Sequence, residues 1–111
     1  MEKHFATYNQ SLALKELGFD ESCLKTMLDF DITYESNVKM PLKSQVFEWG
    51  RKNHSIHGIV SYYGKGQWNI EILDYKGNEL IQIEDNTFWS YEEAESACID
   101  KLIEIVKSKK Q

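Results

Sequence analysis

The chain has 111 residues, enough for one domain with a single small core. With 41% hydrophobic and 28% charged residues, its composition is that of a folded domain and excludes a disordered chain. A net charge of −5 excludes long-range attraction to nucleic acid or to an anionic membrane.

No apolar run is long enough to span a bilayer. Met1-Glu2-Lys3-His4 lacks the apolar core of a secretion signal, so the cytoplasm is the expected compartment. The two cysteines, Cys23 and Cys98, form no C-x-x-C pair and are expected to be reduced thiols.

Taken in order, Thr7-Tyr8-Asn9-Gln10 has the form of a capping box. It opens a helix carrying Leu12, Ala13, Leu14 and Leu17. Gly18 follows at the position that usually turns left-handed, and Phe19 can fold back on Leu14. From Asp20 to Lys39 no single pattern dominates. Ser22–Leu28 can form a short helical turn, and Asp29–Tyr34 an extended segment. Pro41 suits the first residue of a helix, with Leu42, Val46 and Trp49 on one line and Phe47 beside them. Arg51, Lys52 and His54 then match the dipole at its end.

Three short strands follow, over 56–63, 67–74 and 79–84, expected as antiparallel neighbours. In the second, Trp68, Ile70 and Ile72 alternate with Gln67, Asn69 and Glu71, the period of a half-buried strand. Gly64-Lys65-Gly66 and Gly77-Asn78 mark the turns. Ser90-Tyr91-Glu92-Glu93 is a second capping box, and a helix runs from it to about Lys107. Ala94, Cys98, Leu102 and Ile105 form its apolar line, widened by Ile99, Ile103 and Val106. Cys98 reads as a small buried hydrophobe in that line.

Two phrases, Ala13-Leu14-Lys15-Glu16-Leu17-Gly18-Phe19-Asp20-Glu21-Ser22-Cys23 and Tyr91-Glu92-Glu93-Ala94-Glu95-Ser96-Ala97-Cys98, carry a resemblance. With Pro41-Leu42 and Phe47-Glu48-Trp49 between them, the chain resembles a set of small, uncharacterised proteins from gut anaerobic bacteria and their phages and mobile elements. In that set the first phrase usually reads L-G-F-D-E-P-C; Ser22 stands here in place of the proline. The resemblance implies a phage or mobile-element context and brings no activity with it.

Residues 41–108 also resemble double-stranded-RNA-binding domains in the order helix, three strands, helix. Those domains open the last helix with S-K-K-x-A-K, whose lysines hold phosphates. Ser90 and Ala94 match that pattern, but the lysine positions hold Tyr91, Glu92 and Glu95. Carboxylates there repel phosphate, so duplex RNA is not an expected partner.

His54-x-x-His57 is the one close histidine pair; a metal site needs further ligands, and a helix end beside an ordinary strand explains both. No nucleophile elbow or phosphate-cradling glycine loop is present. The acid pairs Glu84-Asp85 and Glu92-Glu93 sit at element ends, where carboxylates are usually solvated. No catalytic, cofactor or metal residue is therefore assigned, and no enzyme is expected.

The surplus is aromatic: Trp49, Tyr62, Tyr63, Trp68, Tyr75, Phe88 and Trp89 lie in or beside the sheet. One sheet face cannot hold them all, and the last helix carries more apolar surface than one stripe buries. The candidate interaction surface is Tyr63, Tyr75, Trp89 and Ile103. The alternative is that residues 20–39 cover these side chains.

The expected fold is α+β in a single domain, 1–111. A dsRBD-like α-β-β-β-α core (41–108) has helices on one face of a three-stranded antiparallel sheet, and 1–40 is an N-terminal helical extension. The expected function is that of a small, non-enzymatic interaction protein, pairing as a homodimer or with a host or phage protein, with no membrane partner. A degenerate nucleic-acid-binding domain is the alternative.

Overall fold

The structure is a computed structural model, and it describes residues 4–19, 25–26, 39–74, 76, 79–82 and 88–109. The elements in chain order are α1 (Tyr8–Glu16), β1 (Lys25–Thr26), β2 (Lys39–Met40), α2 (Lys43–His54), β3 (His57–Gly64), β4 (Gln67–Leu73), β5 (Glu79–Gln82) and α3 (Tyr91–Lys109). The α+β class expected from the sequence holds. β1 and β2 form a short antiparallel pair, and β3, β4 and β5 form an antiparallel sheet in that order.

Local signals explain the ends of α1. The Gln10 amide donates to Thr7 Oγ1 at 3.1 Å, and Thr7 N–H donates back to Gln10 Oε1 at 2.9 Å, closing the capping box. At the other end Gly18 takes φ 94°. Phe19 N–H then reaches the Leu14 carbonyl at 2.9 Å, and Gly18 N–H that of Lys15 at 3.2 Å, which is the Schellman pattern.

α2 departs from the expectation. Pro41 is not its first residue; the helix starts at Lys43 with Leu42 as N-cap. The reason is a tertiary contact. Phe5 and Leu42 form a β-bridge, and the Pro41 carbonyl accepts the Ala6 N–H at 2.9 Å. That pairing holds Pro41 extended and delays the helix. Gln45 Oε1 then caps the Leu42 N–H at 2.9 Å. Lys25 and Thr26, expected within a helical turn, pair instead with Met40 and Lys39. The extended segment expected at Asp29–Tyr34, the Gly77-Asn78 turn, Glu84-Asp85 and Cys23 lie outside the described residues.

The β3–β4 turn is the two-residue loop Lys65-Gly66, with φ 54° and 78°. Both residues are left-handed, as a type I′ hairpin requires. Tyr62 pairs with Trp68 and Gly64 with Gln67, so Tyr63 is an extra, unopposed residue: a β-bulge.

Ile70 and Ile72 are buried and Trp68 packs against the core, so this face of β4 is the inner one. Phe47 of α2 and Cys98 of α3 both close on Gly58 on that face. A methyl group there would sit 2.7 Å from Phe47 and 3.1 Å from Cys98 Sγ. Val46, Trp49, Ile56, Ala94, Ile99, Leu102 and Val106 complete the centre. His54 stacks edge-on against Trp49 with ring centroids 4.6 Å apart, and His57 is an exposed first residue of β3.

α1 lies against α3. Gln10 Nε2 donates to the Ser96 carbonyl and Oγ at 3.1 Å each, and to Asp100 Oδ1 at 2.9 Å. This contact corrects one expectation: Ile103 is 5% exposed and belongs to the core, not to a surface. The second apolar stripe of α3 is met by α1, so part of the expected excess is consumed within the chain.

Candidate aromatic surface

α3 begins with its own cap. Glu93 N–H donates to Ser90 Oγ at 3.2 Å, while Glu93 Oε2 accepts the Trp89 N–H at 3.4 Å. The carboxylate thus ties down the residue before the cap rather than the cap itself. Just upstream, Phe88 pairs with Trp68: Trp68 N–H to Phe88 O at 2.8 Å and Phe88 N–H to Trp68 O at 3.1 Å. The entry to α3 is therefore fastened to the end of β4 that adjoins the hairpin.

That fastening assembles aromatic rings from three parts of the chain. Trp68 lies between Tyr62, at 5.0 Å between centroids, and Tyr91, at 5.3 Å and nearly perpendicular. Edge-on contacts of this kind add to the burial of ring area. Tyr62 Oη also accepts the Gly66 N–H at 3.0 Å, pinning the ring to the turn.

The large hydrophobic side chains left exposed, among the described residues, are Tyr62 (59%), Tyr63 (76%), Trp89 (67%) and Tyr91 (42%). All four lie at the hairpin end of β3 or at the start of α3. Two of the expected surface residues, Tyr63 and Trp89, are exposed there. Tyr75 lies outside the described residues, and Ile103 is buried. Tyr62 and Tyr91 were not among the expected ones. The capping box at Ser90 signals that residue 91 starts a helix, where a first-turn side chain is often exposed; that signal was available for Tyr91.

Beneath Tyr91 is a polar centre. Its hydroxyl donates to Glu95 Oε2 at 3.2 Å, and Lys43 Nζ lies 3.9 Å from Glu95 Oε1. Both charged side chains are largely buried, so the pair is little screened by salt. Partial burial first, and the Glu95 carboxylate second, push the Tyr91 phenol above its ordinary value. Tyr91 therefore stays a neutral hydrogen-bond donor.

Two clefts flank this centre. One of about 370 Å³ is lined by His4, Leu42, Lys43, Tyr91 and Glu92. The other, of about 260 Å³, is lined by Phe47, Arg51, Gly58, Val60 and Tyr91. Among the described residues no group of three histidine, cysteine or acidic side chains can hold a metal ion. No helix of the described residues is long and apolar enough to cross a membrane.

Cys98 is fully buried, and burial pushes its thiol up to about 12. A thiol so rarely ionised is a packing group, not a nucleophile.

No protein-family model matches the chain, and the curated proteins and the solved structures contain no significant match to it.

Proposed function

We propose that this is a non-enzymatic interaction protein of phage or mobile-element origin, acting in the cytoplasm through the aromatic surface at the hairpin end. The observation that carries the reading is the gathering of Tyr62, Tyr63, Trp89 and Tyr91 at one end of the molecule. Aromatic side chains held rigid by their neighbours are favoured contact residues at protein interfaces, because little rotamer freedom remains to be lost on binding.

A dsRBD-like α-β-β-β-α arrangement of residues 41–108 belongs to the same proposal. Its support is the order of α2, β3, β4, β5 and α3. Duplex RNA is not the partner in this reading, because Glu92 and Glu93 occupy the first turn of α3, where phosphate would have to dock.

The test is capture from a host lysate with wild-type protein and with Trp89→Ser, each with and without nuclease. A protein retained by the wild type, lost with Trp89→Ser and indifferent to nuclease supports the reading. Retention that Trp89→Ser leaves unchanged, or that nuclease abolishes, overturns it. A separate titration with labelled duplex RNA at moderate salt is expected to show no binding in the micromolar range.

A further inference from the structure

The hydrogen bonds of β4 reveal which way β3 presents its backbone. Trp68 spends both its N–H and its carbonyl on Phe88, on the side away from β3. Ile70 agrees, since its N–H is taken by Asn69 Oδ1 at 2.9 Å. In an antiparallel ladder a residue's two groups point the same way and alternate along the strand. Trp68, Ile70 and Ile72 therefore form the non-hydrogen-bonded pairs with Tyr62, Val60 and Gly58. It follows that Gly58, Val60 and Tyr62 turn their own N–H and carbonyl groups to the opposite edge. β3 is the outer strand on that side, and no backbone bond among the described residues reaches its edge.

Such an edge is a template for another strand, and proteins usually blunt it with charge, proline or very short length. β3 has none of these. It has eight residues, His57-Gly-Ile-Val-Ser-Tyr-Tyr-Gly64, with no proline. It lies within Asn53–Gly64, the longest stretch of the chain free of Asp, Glu, Lys and Arg. The bulge at Tyr63 interrupts regular pairing only at the hairpin end.

We propose that β3 pairs with β3 of a second copy of this chain, antiparallel across a two-fold axis at Val60. Charge favours this occupant. The chain carries −5, so most of its surface repels a copy of itself, and β3 itself bears no Asp, Glu, Lys or Arg to add to that repulsion. Geometry favours it too. A two-fold at Val60 pairs Val60 with Val60 and Gly58 with Tyr62, the three residues whose groups face outward. Those pairs make about six backbone hydrogen bonds. Exposed Tyr62 adds apolar area that backbone pairing alone would lack. The proposal does not depend on what Trp89 and Tyr91 contact.

The test uses the full chain in sedimentation velocity from micromolar to hundreds of micromolar, with Ser61→Lys and Val60→Cys as variants. Ser61 is exposed on the outer face, so lysine there leaves the core untouched. Expected are a dimer for the wild type and a dissociation constant raised at least about tenfold for Ser61→Lys, at unchanged circular dichroism. Val60→Cys, made with Cys23→Ser, is expected to oxidise to a linked dimer. Directly paired residues at a hydrogen-bonded position lie about 5.5 Å apart between Cα atoms, within disulfide range.

A wild type that stays monomeric throughout overturns the proposal. Amide exchange then says why: protected Gly58, Val60 and Tyr62 amides would mean the chain covers its own edge, and unprotected ones would leave it to a different protein. A dimer that Ser61→Lys does not weaken, and that Val60→Cys does not link, overturns it as well.

Discussion

Gln10 reaches Asp100 at 2.9 Å across 90 positions of sequence, and through this bond α1 is held on α3. The same side chain caps α1 with its oxygen, so each end of the amide has a separate task. Gln10→Glu separates them. It keeps the oxygen for Thr7 but replaces the donating group with a second oxygen facing a carboxylate. A loss of about 2–4 kcal/mol at neutral pH is expected, the cost of an unmet and repelled buried group. Protonation of a carboxyl removes the repulsion, so the deficit should shrink as the pH falls into the acid range. Thermal melts of wild type and variant at several pH values check this. A deficit independent of pH would mean that Asp100 is not the group Gln10 answers.

Gly58 is where α2 and α3 both touch the sheet. A methyl at this position meets Phe47 at 2.7 and 2.9 Å and Cys98 Sγ at 3.1 Å. Gly58→Ala should therefore destabilise by about 1–3 kcal/mol, as overpacking does. Phe47→Leu in the same chain should restore part of the loss, because it removes the nearer clash. Denaturant midpoints of the two single variants and the double variant measure the coupling.

What the sequence made legible was local. The cap and Schellman turn of α1, the alternation of Trp68, Ile70 and Ile72, and the Ser90 cap all depend on residues within one or two turns of each other. What it hid was contact between distant segments. Ile103 looked surplus because a helix on a sheet buries one stripe, and nothing near residue 103 announces that α1 takes the second. Pro41 looked like a helix start because its neighbours fit one; the Ala6 amide that holds its carbonyl is 35 positions away. Tyr62 alternates onto the inner face with Val60, opposite Trp68, and is nevertheless exposed. The inner face continues past the helices that cover it, so a side chain can face inward in register and still be exposed.

Cys98 links the core to alkaline pH. Its ordinary value of 9.0 is raised to about 12 by burial. A raised value means that the folded state keeps a proton the unfolded state loses. The thiol's contribution is therefore fully present below pH 9 and declines as pH rises from 9 toward 12. Cys98→Ala has no such proton, so its melting temperature should fall less steeply over that window. Parallel slopes for wild type and Cys98→Ala would show that the thiol titrates normally. In native buffer at neutral pH, thiol reagents should not label Cys98 until the protein unfolds.

Trp68 and Trp89 lie at the same end of the sheet, through the Trp68–Phe88 bridge, with opposite roles, and that contrast separates structure from recognition. Trp68 is partly buried, bonded through its backbone to Phe88, and flanked by the rings of Tyr62 and Tyr91. Trp89 is 67% exposed, and its described hydrogen bond is a backbone one, to Glu93. Trp68→Ala should cost about 2–4 kcal/mol, since it opens space beside the core and frees the two tyrosines. Trp89→Ser should change stability by less than about 0.5 kcal/mol, as exposed substitutions do. Their effects on partner capture should be the reverse in specificity: Trp89→Ser abolishes it with the fold intact, whereas Trp68→Ala weakens it only in proportion to unfolding. Melting curves and capture assays on the same preparations decide the matter. If Trp89→Ser lowers the melting temperature as far as Trp68→Ala, then Trp89 is part of the core's support. The exposed aromatic surface would in that case lose its most accessible member.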